Sequence, residues 1–135
     1  MVARASIRNV SVAPRKARLV ADLVRGLYVE DALDQLSFMY KAVSPVVHKL
    51  IRSAIANAQQ TLSDLDTQDL FIKRIWVDEG MTRRWIRPRA RGMAHRILKR
   101  KCHITVELDM DQDLDTEDSV KRIILFARIS TIASL

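Results

Sequence analysis

Apolar and polar residues alternate loosely over residues 3–12. Ala5, Ile7, Val10 and Val12 stand among polar positions, which predicts a short strand or extended arm. Pro14 then opens a helical period, where its missing N–H has no helical partner to lose. Leu19, Val20, Leu23 and Val24 make a stripe at i, i+1, i+4, i+5, with Arg15, Arg18, Asp22 and Arg25 opposite. Residues 14–25 therefore read as an amphipathic helix that Gly26 stops. A second helix is expected over 29–40, with Glu30 and Asp31 at its positive end and Ala32, Leu33, Leu36 and Met39 or Tyr40 inward; Met39 and the aromatics beside it read as core. Ser44 as N-cap and Pro45 at the first position start a third helix. Val46, Val47, Leu50, Ile51, Ala54, Ile55 and Ala58 line that helix, and Ser53, Ala54, Ala56 and Ala58 are small enough for a close neighbour. His48 reads as a boundary residue.

After a polar, acidic loop at 61–69, the β-branched and aromatic run LFIKRIWVD (70–78) predicts a strand. A second strand is expected over 97–108, where Ile104, Val106 and Leu108 alternate with Thr105 and Glu107. Between them Gly92 sits near the middle of a polar stretch. The simplest topology is one long antiparallel hairpin turning near Ala90 to Ala94. About 15 residues per side at roughly 3.3 Å each would reach about 50 Å, beyond the body of a small domain. Residues 109–118, DMDQDLDTED, read as an acidic linker, and 119–130 as a short amphipathic helix with Val120, Ile123, Ile124 and Ala127 on one side. The expected fold class is α+β: three helices on a small antiparallel sheet with a protruding β-hairpin. Residues 1–108 form the domain, with its arm at about 76–106, and 109–135 form an extension.

Charge changes the picture most. Gly80 to His103 holds nine of the 23 lysines and arginines and no acid, so without it the formal charge of +7 would be −2. Solvated faces usually mix both signs, whereas this density suits a polyanion, above all nucleic acid. Arg87, Arg89 and Arg91 alternate and are expected on one side of a strand. Arginine's fork of donors fits phosphate and its plane stacks on bases. Trp85, among these cations, has two readings, packing or stacking on a base or ribose. The single cysteine, Cys102, excludes an internal disulfide and fits a reducing compartment. No run approaches the roughly 20 apolar residues of a membrane span, and the first residues do not read as a secretory signal.

Catalytic and metal motifs do not form. Asp111, Asp113 and Asp115 imitate a calcium loop, but Thr116 and Arg122 stand where it needs Gly and Glu. Cys102, His103 and His95 are too few for structural zinc and have basic neighbours. Asp78 and Glu79 are adjacent on a strand and point to opposite faces, poor geometry for a shared metal. No cofactor is expected. An RNA-processing enzyme would need a cluster of acids or a Lys/His/Glu site. A DNA- or messenger-binding regulator would carry its cations on a compact recognition helix, whereas here they fall on a hairpin.

Three stretches resemble the large-subunit ribosomal protein twenty-two family: SVAPRKARLVADLVRG (11–26), SAIANA (53–58), and VDEG from Val77 followed by Arg84, Arg89-Ala90-Arg91-Gly92 and His103-Ile104-Thr105-Val106. The likeness runs in order over about residues 4–108. It implies a non-enzymatic structural protein of the large ribosomal subunit that binds large-subunit rRNA and supports assembly. Its hairpin tip would line the nascent-peptide exit tunnel. Residues and resemblance together assign RNA contact to Arg15, Lys16, Arg18 and Arg25 on the first helix. Along the arm they assign it to Arg83, Arg84, Trp85, Arg87, Arg89, Arg91, His95, Arg96, Lys99, Arg100, Lys101 and His103. The tunnel tip would be Arg89, Ala90, Arg91, Gly92, Met93 and Ala94. Expected partners are rRNA, neighbouring ribosomal proteins and the nascent polypeptide, with one copy per ribosome. That ribosome would be cytoplasmic in a bacterium, or that of a chloroplast or mitochondrion. The chain departs from the family pattern at Met81 for the usual Pro, at Thr61 for Asn, at Met93 for a basic or polar residue, and at Trp85 for a residue commonly basic.

Overall fold

The computed structural model describes residues 1–62 and 67–110. Strand β1 (Ala3–Val10) is followed by helices α1 (Pro14–Val24), α2 (Val29–Phe38) and α3 (Ser44–Thr61). Then come β2 (Leu70–Glu79), β3 (Arg83–Pro88), β4 (Ala94–Lys99) and β5 (Cys102–Met110). β5 lies between β1 and β2 and pairs antiparallel with both; β3 and β4 pair only with each other. The α+β arrangement expected from the sequence is present. The calcium-like aspartates and the helix expected over 119–130 lie outside the described residues.

The pleat sends alternate side chains to opposite faces of the sheet. Ala3, Ala5, Ile72, Ile75, Val77, Ile104, Val106 and Leu108 go inward, where α1 packs on β2, α3 covers β1 and β5, and α2 lies on α3. Among the described residues no helix lies over the opposite phase (Arg4, Ser6, Trp76, Asp78, His103, Thr105). Arg4 sets its guanidinium 5.3 Å from the centre of the Trp76 indole there, a cation–π contact.

Helix α1 starts where the Ala13 carbonyl accepts from Lys16 and Ala17 at 3.0 and 3.2 Å, with Pro14 in the first turn. It ends at Gly26, whose φ of +77° is open to a residue without a Cβ. Gly26 N–H then donates to the Ile72 carbonyl, and Ile72 N–H to the Leu27 carbonyl, hooking the end of α1 onto β2. The expected stripe on α1 is corrected. Its inward face is Ala17, Val20, Ala21 and Val24, spaced i, i+3, i+4, i+7, while Leu19 and Leu23 are 63% and 54% exposed. The small alanines let α1 lie close to the sheet, and the two leucines fall beside that contact.

Other packing expectations are also corrected. Phe38 and Tyr40 are exposed, because α2 ends at Phe38 and the chain turns outward; Val29, Ala32 and Leu36 carry its buried face, with Leu33 and Met39 packed at the margin. Ser44 lies inside α3, not at its cap. The Val43 carbonyl accepts from Val46 and Val47, and the buried Ser44 Oγ has no hydrogen-bond partner among the described residues. Of the four small residues expected to meet a neighbour on α3, Ala54 and Ala58 are buried in the core, whereas Ser53 and Ala56 face solvent. Strand β5 continues through Asp109 and Met110, two residues further than the expected strand end, because Met110 pairs with Leu70 and Asp109 receives both the N-terminal ammonium, at 2.8 Å, and Lys73.

Candidate nucleic-acid interface

The arm is an extension of the β2–β5 ladder. That ladder ends with Glu79 opposite Cys102, and Gly80 N–H still donates to the Lys101 carbonyl at 2.8 Å. Pairing resumes with Arg83 opposite Lys99. Met81 and Thr82 therefore stand against Arg100 alone, a two-to-one irregularity of the kind that bends a ladder and shifts its faces. The hairpin is thus interrupted at its root, not one unbroken ladder.

Beyond the root, register decides which side chains share a face. Arg83, Trp85 and Arg87 lie opposite Lys99, Ile97 and His95 on one face; Arg84, Ile86 and Pro88 lie opposite Leu98, Arg96 and Ala94 on the other. Cations therefore occupy both faces, each interleaved with large apolar side chains. From Arg83 to Arg100 every residue is exposed except half-buried Ile97. Trp85 is 60% exposed, and Ile86, Leu98 and Met93 are also open to solvent. Among the described residues none of the nine arm cations has an ion-pair partner. Arg83 opposite Lys99 is a like-charge pair that weakens an isolated ladder.

The row of Arg87, Arg89 and Arg91 expected on one strand face does not form. β3 stops at Pro88, and Arg89 to Met93 make the turn, closed by Arg89 N–H to the Met93 carbonyl at 2.7 Å. Arg91 (φ 59°, ψ 32°) and Gly92 (φ 68°) are both left-handed there. That backbone costs a non-glycine residue on the order of 1 kcal/mol, and it turns Arg91 out of line with Arg87.

The first-helix candidates divide. Arg15 and Lys16 are exposed in the first turn of α1. Arg18 Nη2 donates to the Val77 carbonyl and Arg25 Nη2 to the Ile75 carbonyl, each at 3.2 Å, while Arg25 Nη1 also meets Asp22 at 2.9 Å. β2 is an edge strand, so these two arginines occupy backbone acceptors that an edge would otherwise present to solvent. His103 sits in the sheet, not on the arm, and its Nδ1 accepts the Asn9 N–H at 3.0 Å. Asn9 is left-handed (φ 60°) at the bulge where Arg8 and Asn9 oppose His103. His95 is exposed on the arm beside Arg87.

Sequence reasoning missed the cleft at the arm's root. Ser11 and Ala13 from the β1–α1 connection face Arg83, Trp85, Leu98, Lys99, Arg100 and Lys101 across a space of about 560 Å³. Only the third dimension brings residues 11–13 to residues 83–101. Cys102, beneath this root, is fully buried, and burial raises its thiol pKa, which keeps it protonated and unreactive. Among the described residues no three His, Cys, Asp or Glu side chains gather to hold a metal, and no helix is long and apolar enough to cross a membrane.

A helix-backed sheet that extends a core-free cationic arm defines a scaffold protein. Comparison with known proteins agrees. The family described as ribosomal protein L22p/L17e matches residues 5–109. The chain is 50% identical over 104 residues to the large ribosomal subunit protein uL22 of Lactobacillus delbrueckii subsp. bulgaricus, covering 77% of this chain and 88% of that one. It is 48% identical over 111 residues to that of Lactobacillus helveticus (82% and 94%) and 50% over 112 residues to that of Sorangium cellulosum (81% and 97%). The chain belongs to the ribosomal protein L22p/L17e family, a family of structural, non-enzymatic constituents of the large ribosomal subunit.

Proposed function

We propose that this protein anchors itself in large-subunit rRNA through the arm and its root, supports assembly of the subunit, and lines the nascent-peptide exit tunnel with the turn from Arg89 to Ala94. One observation carries the reading: nine cations with no acid stand on a two-stranded arm that buries nothing of its own. Such an arm gains its stability from a polyanion that surrounds it. Arg83, Arg84, Arg87, Arg96, Lys99, Arg100 and Lys101 grip phosphate. Arg15 and Lys16 add contacts from α1, while Arg18 and Arg25 reach RNA only with the donors left over from the β2 edge. His95 and Trp85 supply ring surfaces. The ribosome is the cytoplasmic one of a bacterium, as the organisms of the relatives favour. It holds one copy, beside neighbouring ribosomal proteins.

The test is sedimentation and cross-linking. A tagged chain with a photoreactive residue in place of Met93 is expected to travel with large subunits and to cross-link to the nascent peptide of stalled ribosomes. Absence from the particles would refute the ribosomal reading; cross-links confined to rRNA would refute the tunnel position.

A further inference from the structure

The root cleft differs from the rest of the arm. Elsewhere the arm cations stand exposed on the ribbon and its turn; here they line a concavity. Arg83 and Lys99, directly opposite each other, share a face with Trp85, and Arg100 and Lys101 continue the rim. Ser11 and Ala13 close the far side, and among the described residues no carboxylate lines the space. Its volume of about 560 Å³ lies within the roughly 300–1,000 Å³ typical of small-ligand sites. An indole 60% open to solvent forms part of the wall.

We propose that this cleft seats one unpaired RNA nucleotide, its base stacked on the Trp85 indole and its flanking phosphates held by Arg83, Lys99 and Lys101. The inference rests on the rRNA-binding reading and adds the form of RNA that is read at the root. A continuous duplex would satisfy the cations but leave the indole uncovered, because paired bases are stacked inside their helix. An extruded base presents a flat π surface, and its own phosphates lie a few ångströms away. That combination matches an aromatic wall inside a cationic rim. Stacking contributes little to the salt dependence, whereas the rim does. The two contributions are therefore separable.

The full-length chain would be titrated with three RNA hairpins: fully paired, with one bulged nucleotide, and with an abasic residue at the bulge. The bulged hairpin is expected to bind about tenfold more tightly than the other two. In a Trp76→Phe background, where Trp85 is the only indole, it alone should quench the fluorescence. Trp85→Ala should erase the tenfold preference by bringing the bulged hairpin down to the affinity of the paired one; Trp85→Phe should keep most of it. Equal affinity for all three hairpins, or a preference that survives Trp85→Ala, would overturn the proposal. So would a loss in Trp85→Ala that is equal for paired and bulged RNA, since Trp85 would then only stiffen the arm. Failure of any hairpin to bind in a salt-dependent way would instead refute the rRNA-binding reading itself.

Discussion

Gly80 and Lys101 meet so closely that a Cβ on Gly80 would stand 3.1 Å from both the carbon and the oxygen of the Lys101 carbonyl, the same carbonyl that accepts the Gly80 N–H. The crowding atoms are backbone, so they cannot swing away as a side chain would. Gly80→Ala is expected to push the two strands apart at the arm's root and cost about 1 kcal/mol. Met81→Ala, at an exposed position, should fall within about 0.5 kcal/mol of the parent. Urea unfolding gives both values. Amide exchange of Gly80 and Cys102 should accelerate only in the first variant; equal stability in both would show that the root is slack.

Asp109 ties the two ends of the described chain together. Its carboxyl is held at a pKa of about 2, below the ordinary 3.8, first by the hydrogen bond from Lys73 and then by that from the N-terminal ammonium. A carboxylate whose folded pKa is depressed adds stability above its unfolded pKa and loses it as pH falls toward the folded one. Asp109→Asn should therefore be less stable than the parent at neutral pH, by on the order of 1 kcal/mol given partly exposed partners. The gap should close between about pH 4 and pH 2. Unfolding midpoints of both proteins across that range test the linkage, and a gap independent of pH would contradict it.

The corrected face of α1 makes an adjacent-residue comparison possible. Val24 is fully buried and Leu23 is half open. Val24→Ala is expected to cost about 2 kcal/mol through lost burial and a residual cavity. Leu23→Ala, the larger deletion, should change stability by less than about 0.5 kcal/mol. The reverse order would restore the stripe that the sequence suggested.

Helix α3 was legible because Val47, Leu50, Ile51, Ala54 and Ala58 repeat at helical spacing with bulky residues. Gly26 was legible as a stop because a left-handed residue after a helix favours glycine. On α1 the bulkier Leu19 and Leu23 suggest the buried stripe, yet Ala17 and Ala21 carry the close contact, since close packing of helix on sheet selects small residues. The arm's charge needed only composition. Its faces did not follow, because the irregularity at Met81 and Thr82 depends on Arg100 across the ladder. Likewise, Arg18 and Arg25 could not be seen to reach β2 carbonyls until β2 was known to be an edge.

Tip and grip should fail differently. Arg84, Arg96 and Lys99 lie on paired strands, whereas Arg91 to Met93 lie in or beside the left-handed turn. Replacing the three paired cations with glutamine removes charge-assisted phosphate contacts and is expected to lower the yield of large subunits several-fold. Deleting Arg91 to Met93 removes no buried side chain, so particles should assemble at near-normal yield and differ in peptide-dependent stalling. Purified subunits from each strain, scored for yield and for stalling, decide the matter. The same assembly defect in both, with stalling unchanged, would make the tip another RNA anchor.

The central claim, that the arm binds rRNA by phosphate neutralisation, is tested most directly by the salt dependence of binding. With six or more phosphates engaged, log K for a large-subunit rRNA fragment should fall against log salt with a slope of roughly −4 or steeper. The combined Arg83→Gln, Arg84→Gln, Lys99→Gln and Lys101→Gln variant should bind with a slope shallower by about 3. A slope near zero for the parent, or an unchanged slope in the variant, would contradict the account.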